Sequence, residues 1–290
     1  MIEYTCPDCK EILITNDNEL LCSTHGSFSI IDNIPVLIVN KENVEFDYFQ
    51  EHWKEIEKDS YALSKLNTAR NFLKYPVSNV KNIASQVVFD AGCGDGVHIN
   101  YLNQLTKSQC QIYGSDISLP ALRKAILNNP KSKLSCSDIQ KLPFENNVFD
   151  ISFSYGVIAY TPDPELSFKE ICRVTKQGGL IGVWFYPKPS FFKNMLLQFV
   201  RHLSTGYHQI FANTLAAIIV PFLYVLPTAS KVNLSNASWK QCKEVVLVNI
   251  APPTLWYPTR NDIILMFEQN NIDVTFESSS DKMTVWGKKN

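Results

Sequence analysis

The chain has 290 residues, enough for one large core plus a small accessory module. Its content of 45% hydrophobic and 19% charged residues excludes a disordered chain. A net charge of −1, with no run of five or more Lys and Arg, means that composition alone does not ask for a nucleic-acid partner. The start, Met1-Ile-Glu-Tyr-Thr-Cys6, has neither a basic opening nor an apolar stretch. Together with eight cysteines in a long chain, it predicts reduced thiols, a metal, and a cytoplasmic location.

The first element is a pair of knuckles, Cys6-Pro-Asp-Cys9 and Cys22-Ser-Thr-His25, separated by twelve residues. Two residues between ligands let a tight turn aim both side chains at one ion. Cys6, Cys9, Cys22 and His25 then form a closed tetrahedral set, which predicts a structural Zn2+ site with no open position for catalysis. Chance placement or a two-cysteine redox pair are the competing readings. Strand-like runs at Phe28–Ile31 and Ile34–Val39 would close a ribbon over residues 1–40. This front end resembles the zinc ribbons ahead of some bacterial methyltransferases, including the ribosomal RNA guanine-N1 enzymes. It is also similar to the small zinc-ribbon activators of eukaryotic methyltransferases, which share the stretch seen here as Asp32 to Leu37.

Residues 41–86 are polar and helix-friendly, with Tyr48, Trp53, Ile56, Tyr61 and Leu66 loosely spaced. They predict a helical linker whose aromatics mostly pack, one of them covering a cofactor in the alternative reading. Val87-Val-Phe-Asp90 then reads as a buried parallel strand running into Ala91-Gly-Cys-Gly-Asp-Gly96 and a helix from Val97. Gly92, Gly94 and Gly96 allow a sharp turn and a close approach of a ligand to bare backbone. The Gly-x-Gly-x-Gly spacing differs from the dinucleotide Gly-x-Gly-x-x-Gly. A cofactor without a pyrophosphate needs an acceptor for a cationic amino group instead, and Asp90 stands ready as one. Ile112–Asp116 is a second strand ending in an acid suited to ribose hydroxyls, a feature NAD would fit equally. A third strand ends at Asp138, where an adenine amine could donate.

These motifs, with Asp138-Ile-Gln-Lys-Leu-Pro-Phe144, Phe149–Tyr155, Tyr160–Glu165 and Ile171–Leu180, resemble the class I methyltransferases, especially their small-molecule, UbiE-like branch. The resemblance runs over residues 87–186 and implies S-adenosyl-L-methionine as cofactor. By matching position it implies that Asp90 and the three glycines surround the methionine part and that Asp116 holds the ribose. It further implies that Ile117 packs on the adenine, that Asp138 and Ile139 contact its edge, and that Ser154 and Tyr155 line the sulfonium side. Asp116 and Asp138 as loop caps, and Ile117 and Ile139 as plain core, are the blander readings. Tyr160 stands where many relatives have a histidine.

After a fifth strand, Leu180–Tyr186, residues 187–244 form a long excursion with two apolar helical stretches, Ser190–Leu203 and His208–Leu226. The position suits a lid over an apolar acceptor. The segment from Ile210 to Leu226 is about one membrane span long but is interrupted by Asn213, Thr214 and Pro221. It predicts membrane-surface contact at most, and no transmembrane span. A helix over Asn261–Gln269 and strands at Asp273–Phe276 and Met283–Trp286 complete the chain.

The predicted fold is α/β: a Rossmann-like, seven-stranded, mostly parallel sheet with a helical lid insertion and a small N-terminal zinc ribbon. The domains run 1–40, 41–86 and 87–290, with the lid at 187–244. The leading functional reading is methyl transfer to a small or lipid-like acceptor, with oxygen one candidate atom. Tyr155, Tyr160 and His208 are the candidates for handling the acceptor's proton, with His98, His202 and Tyr207 weighed beside them. Two alternatives are an rRNA or tRNA base methyltransferase, suggested by the ribbon, and a non-catalytic partner protein of the same fold.

Overall fold

The computed structural model describes residues 2–39, 44–55, 62–188, 255–278 and 283–290. The chain divides into two compact units, Met1–Pro187 with Trp256–Asn290, and Lys188–Leu255. The first unit holds all the described strands and helices. The expected lid helices, with His202, Tyr207 and His208, lie outside the described residues.

Four short strands open the chain: β1 (Ile14–Asn16), β2 (Glu19–Cys22), β3 (Gly26–Ile31) and β4 (Ile34–Leu37). They form an antiparallel meander. A small core of Cys6, Leu13, Leu20, Cys22, Phe28 and Leu37 lies inside it. Two helices follow, α1 (Val44–Glu55) and α2 (Ala62–Asn79).

The main sheet is built from β5 (Val87–Ala91), β6 (Gln111–Asp116), β7 (Lys133–Ser137), β8 (Phe149–Tyr155) and β9 (Thr175–Trp184), all parallel. The last pair, β10 (Ile272–Glu277) and β11 (Thr284–Lys289), is antiparallel, with β11 set antiparallel against β9. Helices α3 (Val97–Leu105), α4 (Leu119–Asn128) and α5 (Pro164–Val174) alternate with the parallel strands, and α6 (Arg260–Gln269) precedes β10.

The strand order is β1-β2-β3-β4-β7-β6-β5-β8-β9-β11-β10, one continuous sheet of eleven strands. Seven of these come from residues 87–290. Among the described residues, the front meander therefore extends the sheet expected for residues 87–290. β4 pairs in parallel with β7, Val36 opposite Cys136 and Leu37 opposite Ser137, which joins the front meander to the main sheet.

The side chains of each strand alternate between two packed faces. Phe89, Phe144 and Phe149 fill one face, with Phe89 stacked on Phe149 at 4.7 Å between ring centroids. Phe153 and Trp286 fill the other, both against Phe72 of α2. The chain runs from β5 outward to β7, then returns to place β8 on the other side of β5. In an open α/β sheet a ligand binds at that reversal, beyond the carboxyl ends of the strands.

Candidate functional site

The front knuckles bring four potential ligand atoms within 4.8 Å of one another: the sulfurs of Cys6, Cys9 and Cys22 and a ring nitrogen of His25. Cys9 Sγ lies 3.5 Å from Cys22 Sγ, and His25 Nδ1 lies 3.5 Å from Cys6 Sγ and 3.6 Å from Cys22 Sγ. Around one zinc ion, ligand distances of about 2.0–2.3 Å give tetrahedral edges of about 3.6–3.8 Å. Three of the cluster's edges are of that size, and the rest lie within 4.8 Å. The local backbone explains it: Lys10 N donates to Cys6 O, and His25 N donates to Cys22 Sγ at 3.3 Å.

Contacts bind this module to the segment carrying Asp138. Thr5 N donates to Pro143 O, Lys10 Nζ donates to Leu142 O, and Lys141 pairs with Asp8 at 2.7 Å. Beneath them Glu170 accepts from Leu142 N at 2.9 Å and from Arg173 Nε at 2.6 Å.

At the carboxyl end of β5, the glycine turn shows why its residues are what they are. Gly92 and Gly94 have φ of +84° and +52°, a region that favours glycine. A Cβ on Gly92 would stand 2.4 Å from Val157 Cγ2. Gly92 N and Cys93 N both donate to Ser115 O, which holds the turn against the end of β6.

Asp90 is 1% exposed, and neither carboxylate oxygen has a hydrogen-bond partner among the described residues. Burial, then the charges of Asp116 and Asp95, holds its carboxyl well above the usual carboxylate range. Asp116 accepts from Gly94 N at 2.8 Å and Ser118 N at 2.9 Å. Burial raises its pKa to about 6 despite those two bonds. The structure thus gathers acids around a turn of bare backbone, with no cation placed to neutralise Asp90 among the described residues.

The other expected positions fall at strand ends around this turn. Ile117 follows β6, and its carbonyl accepts from Gln50 Nε2 of α1 at 2.7 Å. Asp138 caps a 3-10 turn over Ile139–Lys141, its Oδ1 accepting from Gln140 N, and Ile139 is buried. Ser154 is buried near the end of β8 with its Oγ unpartnered among the described residues.

Tyr155 ends β8 and stacks on Trp184, with ring centroids 4.4 Å apart and ring planes nearly parallel. His98 lies 4.9 Å from the Tyr155 ring, with its Nε2 buried and unpartnered among the described residues. Burial lowers its pKa to about 4, so it is neutral at physiological pH. Trp184 leads on to Tyr186 at 4.6 Å, and Tyr186 to Tyr160 at 5.6 Å. The Tyr160 and Tyr186 phenols are neighbours that influence each other's ionisation. Burial, followed by neighbouring tyrosines, pushes the Tyr160 phenol up, so it is a hydrogen-bond donor and no base near neutral pH.

Tyr155 and Tyr160 therefore belong to one aromatic wall. Trp184 and Tyr186, which complete it, read in the sequence only as residues of a strand. Their alternation at 184 and 186 is the one signal that could have marked them as sharing a face.

Residues 89–183 match the family model of a methyltransferase domain. The 24-methylenesterol C-methyltransferase 3 of Arabidopsis thaliana is 32% identical over 110 residues, covering 36% of this chain and 30% of that protein. A malonyl-[acyl-carrier protein] O-methyltransferase of Buchnera aphidicola is 30% identical over 113 residues, covering 39% of this chain and 43% of that protein. The chain thus spans less than half the length of these curated relatives. Among solved structures, magnesium protoporphyrin IX methyltransferase from Synechocystis PCC 6803 with bound SAM superposes with a TM-score of 0.52 at 13% identity. That match covers 87% of this chain and 100% of that one, and it shows a shared fold. The segment from 89 to 183 thus resembles a methyltransferase domain, on a sheet of Rossmann-like fold.

Proposed function

We propose that the chain is an S-adenosylmethionine-dependent methyltransferase acting on a small or lipid-like acceptor, with oxygen the favoured atom. The observation that carries this reading is Asp90, a buried carboxylate with both oxygens unpartnered among the described residues, beside a turn of left-handed glycines. A buried charge without a partner is costly. A cationic ammonium group such as that of the cofactor's methionine part would relieve it.

In this reading Asp90, Gly92, Gly94 and Gly96 surround that part of the cofactor. Asp116 retains acceptor capacity for ribose hydroxyls beyond the two N–H groups it already binds. Ile117, Asp138 and Ile139 frame the adenine, and Ser154 and Tyr155 face the sulfonium. When bound, the cofactor would supply a methyl group from a positively charged sulfur, and a hydroxyl acceptor would give up its proton in exchange. Much of the rate then comes from orientation. Tyr160 and Tyr186 would hold the acceptor by hydrogen bonds.

We also assign a structural zinc ion to Cys6, Cys9, Cys22 and His25, on the strength of the cluster's size and its N–H···S support. Seven cysteines among the described residues, none of them in a disulfide, fit a reducing, cytoplasmic location. No helix among the described residues is long and apolar enough to cross a membrane.

RNA is the less favoured acceptor on a specific ground. Residues 1–40 hold one Lys and six Asp or Glu, a formal charge of −5, and that Lys is paired with Glu170. Such a surface repels a phosphate backbone. The test is transfer of a labelled methyl group from S-adenosylmethionine into a cell extract, followed by fractionation, with Asp90→Ala as blank. Label above the blank in the lipid or small-molecule fraction is the expected result; label in RNA alone overturns the acceptor, and no label in any fraction overturns the activity.

A further inference from the structure

Helix α1 touches the loops that follow three different strands. Gln50 Nε2 donates to Ile117 O, after β6. Phe49 meets Tyr160, after β8, edge to face at 6.0 Å between centroids. The indole of Trp53 lies against Gly94, after β5: a Cβ on that glycine would stand 2.9 Å from Trp53 Cζ2 and 3.1 Å from Cη2. Lys124 of α4 fixes this end of the helix, its ammonium donating to the Trp53 carbonyl and sitting 5.7 Å from the ring centroid.

The backbone exposed by the absent Gly94 side chain is therefore met by an indole. Two of these partners of α1 are also neighbours of Asp116, since Gly94 N binds it directly and Ile117 follows it. A helix whose anchoring contacts converge on the loops after three neighbouring strands is placed to cover whatever binds at that end of the sheet. Trp53 is half-buried, so part of its surface stays exposed.

We propose that α1 is the cover of the cofactor site and that Trp53 is the residue through which the cover touches a bound adenosyl ligand. The inference rests on the reading of the cleft as an S-adenosylmethionine site. Trp53 acts by shielding the ligand on the Gly94 side and slowing its escape, with Gln50 and Lys124 holding the helix that carries it.

The test uses the full chain and S-adenosylhomocysteine as the probe, with binding followed by calorimetry and by stopped-flow tryptophan fluorescence. Trp53→Ala should release the probe about tenfold faster, the order expected from loss of one buried aromatic contact. Trp53→Phe should keep the affinity within about threefold, because the ring contact survives, yet lose most of the ligand-induced fluorescence change. Wild-type release from Trp53→Ala, or an undiminished signal from Trp53→Phe, overturns the proposal. Should the alanine variant melt early without ligand, the phenylalanine signal decides. Absence of probe binding by the wild-type chain would instead remove the cofactor reading, and this inference with it, so the two failures are told apart.

Discussion

Replacing Asp90 by Asn should stabilise the ligand-free protein while crippling its affinity for the cofactor. The carboxylate is 1% exposed, has no partner for either oxygen among the described residues, and faces Asp116 and Asp95. Burial and those two charges raise its pKa, so the unfolded chain ionises this group more readily than the folded one. Such a group costs nothing while both states are protonated. Its cost grows as pH rises above the ordinary Asp value of about 3.9 and levels off above the folded pKa. Asn cannot ionise, and its amide has neighbouring acids to donate to. The expected gain is roughly 1–3 kcal/mol at neutral pH, a rise of a few degrees in Tm for a chain of this size. Binding should move the other way. Loss of a charge-assisted hydrogen bond worth about 1.5–3 kcal/mol weakens S-adenosylhomocysteine binding by roughly 10- to 150-fold. Scanning calorimetry of both proteins across the acid-to-neutral range, with titration of the probe at neutral pH, reads both effects. A variant less stable than wild type, or a stability difference that does not widen with rising pH, would refute the reasoning about Asp90. Unchanged probe affinity would sever Asp90 from the cofactor.

Glu170 should behave in the opposite sense. Burial pushes its carboxyl up, but the Arg173 guanidinium and Lys10 more than offset this and hold it below its ordinary range. Its stabilisation is present above the unfolded Glu value of about 4.3 and fades as pH falls through the folded pKa. Glu170→Ala, which orphans Leu142 N–H and strips Arg173 of its paired carboxylate, should cost about 3 kcal/mol by urea unfolding. Glu170→Gln should cost about half of that, and its deficit should shrink in acid; equal losses for the two variants would count against the network. Removal of metal should affect more than the front module. Because Ile34 and Leu37 of β4 are fully buried, stripping the ion with a strong chelator should lower the melting temperature of the whole unit by roughly 10 °C or more. Elemental analysis should find one zinc per chain, and a chelated protein that melts unchanged would remove the metal's structural role.

Much of the centre of the molecule was legible because its signals are local. Val87–Ala91, the glycine turn and the helix from Val97 follow from a short apolar run broken by residues that need left-handed backbone. The end of β8 at Tyr155 was equally readable, and the helix expected over Asn261–Gln269 begins one residue earlier, at Arg260, behind a Thr259–Asp262 capping box. β9 starts at Thr175, five residues ahead of the expected Leu180. Thr175-Lys-Gln-Gly-Gly179 reads as a turn, yet Thr175 pairs with Phe149 before the register shifts to set Ile151 opposite Leu180. Trp53 against Gly94, and the chain of rings from Tyr155 through Trp184 and Tyr186 to Tyr160, join residues from separate elements. No periodicity within one element announces such contacts. Asp116 and Asp138 carry the turn-capping role as well as the expected acid at a strand end, so the two readings of those residues were never exclusive.

The pairing of β4 with β7 was the least legible feature, being set by residues about a hundred positions apart, and it gives the front module a physical task. Without it β7 would be an edge strand, although Leu134 and Cys136 are buried and its end leads directly to Asp138. An unpaired edge invites association with other chains and leaves the strand's end poorly held. β4 supplies the missing partner across Val36–Cys136 and Leu37–Ser137. Thr5, Asp8 and Lys10 then fasten the next segment, from Lys141 to Pro143. The new edge is β1, a strand of three residues with all its side chains exposed, which is a far weaker template. A module of some forty residues has too little core to hold this position by itself. The zinc ion proposed for the Cys6, Cys9, Cys22 and His25 cluster would stiffen the knuckle that carries Asp8, next to Lys10, and so tie the order of the segment after Asp138 to a metal.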